Sequence, residues 1–207
     1  MQITIFGATG KTGIELVNQA LEKGHAVTAF VRDPARLAVE DESLTIIEGD
    51  IVDPASVARA VQGKDAVICT LGAGSDLKKT SVRTDGTVNI INGMKEYNVN
   101  RLIAISAMGV GDSWDTLSLL NKFVFATLLK SSREDHEAQE AAVRDSGVDW
   151  TVIRPSGLTD TPRTGSYKVG ENISATTYKI ARADVADLAL KELEQNKLIG
   201  KAVTITN

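Results

Sequence analysis

Cysteine is almost absent from this chain: Cys69 stands alone among 207 residues, so an internal disulfide framework is excluded. The two histidines, His25 and His136, cannot build a Cys/His zinc cluster with it, and no metal site is expected. A basic surplus is missing too. With a formal net charge of −4, no overall positive field favours nucleic acid or an anionic membrane surface. No apolar run approaches the roughly 18 residues of a membrane span. The opening Met1-Gln2-Ile3-Thr4-Ile5-Phe6 lacks the basic and apolar regions of a secretory leader, so a cytoplasmic protein is expected, neither secreted nor membrane-spanning. Internal repeats, low-complexity linkers and long charge blocks are absent as well, which excludes solenoids and disordered tails.

What is present is a recurrence of short apolar runs: Ile3–Phe6, Ala26–Val31, Leu44–Ile47, Ala66–Thr70, Arg101–Ser106, Trp150–Arg154 and Ala202–Ile205. They are β-branched, bounded by Gly, Asp or Pro, and several are apolar without alternation, as strands covered on both faces should be. Helical patterns lie between them at Thr12–Lys23, Pro54–Val61, Thr80–Tyr97, Leu117–Leu129, Glu134–Asp145 and Ala183–Glu194. In the first, Ile14, Leu16, Val17, Ala20 and Leu21 form one stripe that stops at Gly24. Alternating strands and helices predict an α/β protein with a Rossmann-type doubly wound parallel sheet. One domain is expected over residues 1–207. The Thr-, Gly- and Ser-rich stretch at 156–180 is read as a small C-terminal substrate lobe over the sheet's carboxyl edge.

The first strand runs directly into Gly7-Ala8-Thr9-Gly10-Lys11-Thr12-Gly13, which opens the first helix. This is the context a dinucleotide fingerprint requires: glycines permit the turn and the close approach of a pyrophosphate, and the helix N-terminus presents unpaired N–H groups. Gly7, Thr9, Gly10, Lys11, Thr12 and Gly13 are therefore candidate cofactor-binding residues. A P-loop ending in Gly10-Lys11-Thr12 would need glycine where Ile5 stands, so the NTPase reading falls. About 20 residues after the loop, at the end of the second strand, the position facing the ribose 2′ group is Arg32. A guanidinium there can grip a 2′-phosphate with help from Arg36, favouring NADPH over NADH, unless Arg32 is only a solvated strand end. Asp50 either accepts from the adenine amino group or caps the following turn.

Taken together, Gly7–Gly13, Val31-Arg32-Asp33, Gly49-Asp50, Leu71-Gly72, Ser106, Arg154-Pro155 and Arg182-Ala183-Asp184-Val185-Ala186 resemble the atypical short-chain dehydrogenase/reductases. The similarity is greatest to NmrA-like NAD(P)H-binding proteins related to biliverdin reductase B, also called flavin reductase, with Asp76-Leu77 and Thr164-Gly165-Ser166-Tyr167 adding to it. The resemblance implies a Rossmann sheet, Leu71, Gly72 and Pro155 beside the cofactor, and NADPH-dependent reduction of flavins or other extended ring systems. Two departures stand out. None of Tyr97, Tyr167 and Tyr178 begins the Tyr-x-x-x-Lys pair of typical short-chain dehydrogenases, and Gly157 stands where the biliverdin reductase B relatives carry histidine.

Hydride transfer belongs to the nicotinamide, so the protein needs few catalytic groups. Ser106, at the carboxyl end of a central strand, either hydrogen-bonds the nicotinamide or acceptor or simply fits a tight turn. Arg154 either holds an anionic substrate or forms a structural salt bridge. His136 either protonates product near neutral pH or is a solvent-facing helical residue. The helix over Leu117–Leu129 is apolar on more than one face, lining an acceptor pocket or packing on a second copy, and a monomer or weak homodimer is expected. Trp114 either stacks on a planar ligand or belongs to core or lid. Two functions follow. One is an NADPH-dependent reductase passing hydride to a flavin, quinone or tetrapyrrole-like planar acceptor; the other is a non-catalytic NAD(P)-sensing regulator of NmrA-like type.

Overall fold

The computed structural model describes residues 1–72, 81–118, 122, 127 and 129–207. Five parallel crossovers organise the first part of the chain. Strands β1 (Gln2–Phe6), β2 (Ala26–Val31), β3 (Leu44–Glu48), β4 (Ala66–Cys69), β5 (Arg101–Ile105) and β6 (Asp149–Pro155) alternate with helices α1 (Lys11–Glu22), α2 (Pro54–Val61), α3 (Val82–Glu96) and α4 (Lys130–Arg144). Short strands β7 (Gly157–Thr159), β8 (Lys168–Gly170) and β9 (Lys179–Ala181) precede α5 (Arg182–Gln195) and β10 (Lys201–Thr206). The main sheet has eight strands in the order β3-β2-β1-β4-β5-β6-β10-β8, all parallel except the antiparallel edge pair β10–β8. Strand order reverses between β1 and β4, which leaves a crevice above their carboxyl ends.

The strands read as unbroken apolar runs because each face of the sheet has its own core. Ile3, Ile5, Ile103 and Ile105 pack with Leu16 and Val17 of α1 and Val185 and Leu190 of α5. Their neighbours Phe6, Val67, Leu102 and Ala104 face the other way, onto Val57 of α2, Ile90 and Met94 of α3 and Val143 of α4. Each Val, Leu, Ile, Phe or Met side chain among these contributes about 1.5–3 kcal/mol by leaving water, so both helical layers are held by the same strands. Helix starts follow local chemistry: Asp53 caps α2 by accepting from Ala55 N and Ser56 N, with Pro54 at the first helical position.

Several expectations from sequence are displaced. The 156–180 stretch is not purely a lobe over the sheet: β7 and β9 pair in parallel above it, whereas β8 joins the main sheet as its edge. No helix starts at Leu117. Residues 111–116 form a 3-10 turn and Leu117 is extended, with ψ 143°. Most of the remaining 117–129 stretch, together with Asp76-Leu77 and Thr80, lies outside the described residues. α4 begins at Lys130, four residues before the predicted Glu134. Among the described residues no helix is long and apolar enough to cross a membrane.

Candidate functional site

The crevice is built around a turn that demands glycine. At Gly7 φ is +84°, and a Cβ there would lie 2.5 Å from the Thr70 carbonyl oxygen; a Cβ on Gly13 would lie 2.2 Å from the Gly7 carbonyl oxygen. The chain is thereby free to fold back on itself, with Gly10 N–H donating to the Gly7 carbonyl at 3.0 Å. α1 starts immediately, yet its N-cap Gly10 offers no side-chain acceptor and its first turn contains no acidic residue. The leading N–H groups are left for an anion, with the positive end of the helix behind them.

Above this turn lies a cleft of about 590 Å³, within the range of small-molecule and cofactor sites. Gly7, Thr9, Gly10, Lys11 and Thr12 line its base; Arg32, Arg36 and Asp50 line the side beyond β2 and β3; Leu71, Gly72, Ser106 and His136 line the opposite end. Gly13 supports the turn from beneath without lining the cleft. Arg32 and Arg36 are exposed, and among the described residues neither guanidinium has an ion-pair or hydrogen-bond partner. Two unneutralised cations at the end of β2 suit a phosphate monoester. Of the two readings of Asp50 the turn cap is seen, Oδ1 accepting from Val52 N at 3.2 Å, and the residue also borders the cleft. The cradle that a Cβ would fill, the uncapped helix and the free guanidiniums together fit a dinucleotide.

Two cations at the mouth were not foreseen as a unit. Lys11 and Arg182 both reach the Asp160 carboxylate, tying the phosphate turn to the loop after β7 and to the start of α5. Lys11 chiefly, through its hydrogen bond, holds the Asp160 carboxyl below the usual range. The Arg182–Ala186 stretch also carries Asp184, fully buried, which accepts from Thr164 N and Gly165 N, both at 2.8 Å. That motif is a clasp for the segment between β7 and β8. Tyr167 is similarly occupied, its hydroxyl donating to Asp187 at 2.7 Å.

At the other end, the candidate chemical groups separate. Ser106 is buried and its hydroxyl donates to Glu140 Oε1 at 2.7 Å. The same carboxylate receives Arg154 Nε at 2.9 Å and Nη2 at 2.7 Å, while Arg154 Nη1 binds Asp112 at 2.5 Å. Arg154 and Glu140 are each 1% exposed. The expectation that Arg154 holds substrate is thus corrected: all three of its nitrogens are spent on a structural ion pair, and the residue does not border the cleft. Burial opposes the guanidinium's charge, but Glu140 and Asp112 outweigh it and raise its pKa. Pro155 is buried as well, its carbonyl accepting from Met108 N at 2.9 Å, and does not reach the cleft. Trp114 packs beside Met108, Leu117 and Ala175 with the Arg133 guanidinium 4.5 Å from its ring centre, away from the cleft.

His136 departs from both expectations. It is 9% exposed rather than solvent-facing, and it borders the cleft. Burial, and then the charge of Arg83, lower its pKa to about 4, so at neutral pH it is an uncharged imidazole and no proton donor. Sequence reasoning also missed Val82, Arg83 and Leu158 in the lining. Arg83 has no local motif, because its place depends on α3 packing against α4.

Comparison with known proteins agrees with this geometry. A family model described as NAD(P)H-binding matches residues 7–196. An uncharacterized chloroplastic protein of Arabidopsis thaliana is 30% identical, over 99% of this chain and 76% of its own length. Among solved structures, ChuY, an anaerobillin reductase from Escherichia coli O157:H7, superposes with a TM-score of 0.82 at 23% identity, covering all of this chain and 97% of that one. A short-chain dehydrogenase/reductase from Veillonella parvula in complex with NADP gives a TM-score of 0.84 at 19% identity, covering 100% and 94%. At these identities the two structures establish a shared fold.

Proposed function

The chain belongs to the NAD(P)H-binding family of atypical short-chain dehydrogenase/reductase type, and from that premise we propose that it is a cytoplasmic NADPH-dependent reductase acting on a planar flavin, quinone or tetrapyrrole-like acceptor. The observation that carries the cofactor choice is the pair of unpartnered guanidiniums, Arg32 and Arg36, at the end of β2 beside the uncapped α1. NADPH when bound supplies the hydride, and the protein's part is to hold, orient and exclude water. Arg32 and Arg36 grip the 2′-phosphate, the first turn of α1 faces the diphosphate, and Asp50 accepts from the adenine side. The Ser106 hydroxyl donates its hydrogen bond to Glu140, so toward the cleft it presents an oxygen lone pair that suits a carboxamide N–H. With His136 neutral and no Tyr-Lys pair, the final proton comes from solvent. That favours acceptors whose reduced form is protonated readily in water, over simple alcohols and ketones. ChuY, described as an anaerobillin reductase, shares the fold and is consistent with such an acceptor.

The test is to follow NADPH absorbance with FMN, menadione and biliverdin while titrating NADPH and NADH by calorimetry. Oxidation of NADPH with at least one acceptor is expected. Tight NADPH binding without turnover on any acceptor would refute the reductase and leave a cofactor-sensing protein.

A further inference from the structure

Among the described residues, two polar atoms of side chains lining the cleft, His136 Nε2 and Arg83 Nη2, have no hydrogen-bond partner, and their chemistry is complementary. His136 Nδ1 lies 3.2 Å from Gln139 Oε1. Gln139 Nε2 is placed to donate to Thr87 Oγ1 at 3.2 Å and toward Cys69 Sγ at 3.7 Å, an orientation that turns the amide oxygen to the imidazole. With the amide in that orientation the proton sits on Nδ1 and a lone pair is left on Nε2. His136 lines the cleft, and Nε2 is the ring nitrogen not engaged by Gln139. Arg83 borders the same cleft. Its Nη1 donates to Asp135 Oδ2 at 3.1 Å and, among the described residues, its buried Nε and its Nη2 have no partner.

The two groups are held in register. Asp135, the residue before His136, also accepts from Thr84 N at 3.1 Å and Thr84 Oγ1 at 2.7 Å, so one carboxylate joins the first turn of α3 to α4. A fixed cationic donor and a fixed neutral acceptor therefore stand at one end of the cleft, in place before any ligand arrives. Resting on the reductase reading above, we infer that Arg83 and His136 read an acceptor bearing adjacent C=O and N–H groups, a cyclic imide or lactam edge, with the carbonyl on Arg83 and the N–H on His136 Nε2. A flavin ring carries the imide and a linear tetrapyrrole the lactam. A quinone offers only carbonyl oxygens, which satisfy Arg83 but set one lone pair against another at His136; a carboxylate meets the same repulsion. His136 is then a specificity residue that accepts a hydrogen bond, in place of an acid that gives a proton.

The experiment measures binding as well as turnover, using protein saturated with NADP⁺ and flavin fluorescence quenching. Lumiflavin and its imide-N-methylated derivative differ only at that nitrogen, N–H in one and N–CH3 in the other. Wild-type protein should bind the methylated ring at least about tenfold more weakly, because a site built for a donor is left unpaired. His136→Phe should abolish that preference, and His136→Gln, which retains an acceptor oxygen, should keep it. Equal binding of the two flavins by the wild type, or a preference that survives in His136→Phe, overturns the inference. The wild-type comparison stands even if a variant fails to fold. Biliverdin run beside lumiflavin separates the sources: tighter biliverdin points to a lactam, tighter lumiflavin to an imide, and menadione tighter than both overturns the proposal. A preserved N–H preference without NADPH turnover would sink the reductase reading alone. Turnover of both flavins with equal KM would sink this inference alone.

Discussion

Lowering the pH from 8 to 5 should destabilise this protein through His136 in particular. In the folded state the imidazole is buried beside Arg83 and its pKa falls to about 4, with Gln139, Asp135 and Glu140 only partly offsetting burial. In the unfolded chain it returns to about 6.5. The folded pKa is depressed, so between these values the unfolded chain binds more protons and stability falls as pH falls. The contribution is intact above about pH 6.5 and is fully lost below about pH 4. At pH 5 the loss is RT ln[(1 + 10^1.5)/(1 + 10^−1)], about 2 kcal/mol. His136→Gln does not titrate and keeps a hydrogen-bonding group in the same space. Urea unfolding of both proteins at pH 8 and pH 5 isolates the effect: the wild type should lose about 2 kcal/mol more than the variant over that interval. Parallel losses in the two proteins would refute a neutral, buried His136, and with it the tautomer on which acceptor recognition depends.

Arg32→Ala removes one charge-assisted contact and should weaken NADPH about ten- to a hundredfold while barely changing NADH; equal loss on both, by calorimetry, discards the 2′-phosphate role. Gly13→Ala puts a methyl 2.2 Å from the Gly7 carbonyl oxygen, so it should cost about 1–3 kcal/mol in denaturant unfolding and more than about tenfold in NADPH affinity. An unchanged affinity would mean the turn can open at no cost. Arg154→Met strips the buried Glu140 of its two-pronged partner, leaving only Arg144 as a cation, and should cost about 3–5 kcal/mol, most of it recovered when Glu140→Leu is added. A single variant as stable as the wild type would contradict the ion pair. Asp160→Asn frees Lys11 and Arg182 for phosphate, so NADPH should bind about two- to fivefold tighter at low salt, with the gain fading as salt is raised. Weaker binding would show instead that the carboxylate braces the site.

The parts of the fold that could be read in the sequence are those whose cause is local. Gly7 through Gly13 turn and start a helix within seven residues, and Arg32 lies at the end of the next strand, so spacing alone located both at the cleft. Strands buried on both faces announce themselves by unbroken apolar runs. What escaped reading is non-local. Arg154 owes its burial to Glu140 and Asp112, 14 and 42 residues away, and no pattern around Arg154-Pro155 signals either partner. α4 misleads for a related reason. His136, Gln139, Glu140 and Val143 are buried at helical spacing, yet three of the four are polar. A hydrophobic-periodicity argument therefore assigns that face to water. Strands β7, β8 and β9 have three residues each, too few to carry a period.

The polar face of α4 links fold to site. A buried ion pair is seldom worth more than the apolar packing that would replace it, so Arg154–Glu140 needs a reason beyond stability. Its geometry supplies one. Glu140 is anchored from below by Arg154 and at its other oxygen by Arg144 at 3.0 Å, and it spends Oε1 on the Ser106 hydroxyl. A serine left to itself rotates between donating and accepting; one facing a fixed carboxylate always donates to it, and its cleft side always accepts. One residue earlier, Gln139 constrains His136 in a similar way, its amide oxygen facing Nδ1 at 3.2 Å. Ser106 after β5 and His136 on α4, each oriented by a polar residue of α4, thus present acceptors, while Arg83 from α3 is the donor. The cleft is polarised before a ligand enters, without a proton in flight. That suits a reaction in which hydride comes from the cofactor and the protein's contribution is orientation.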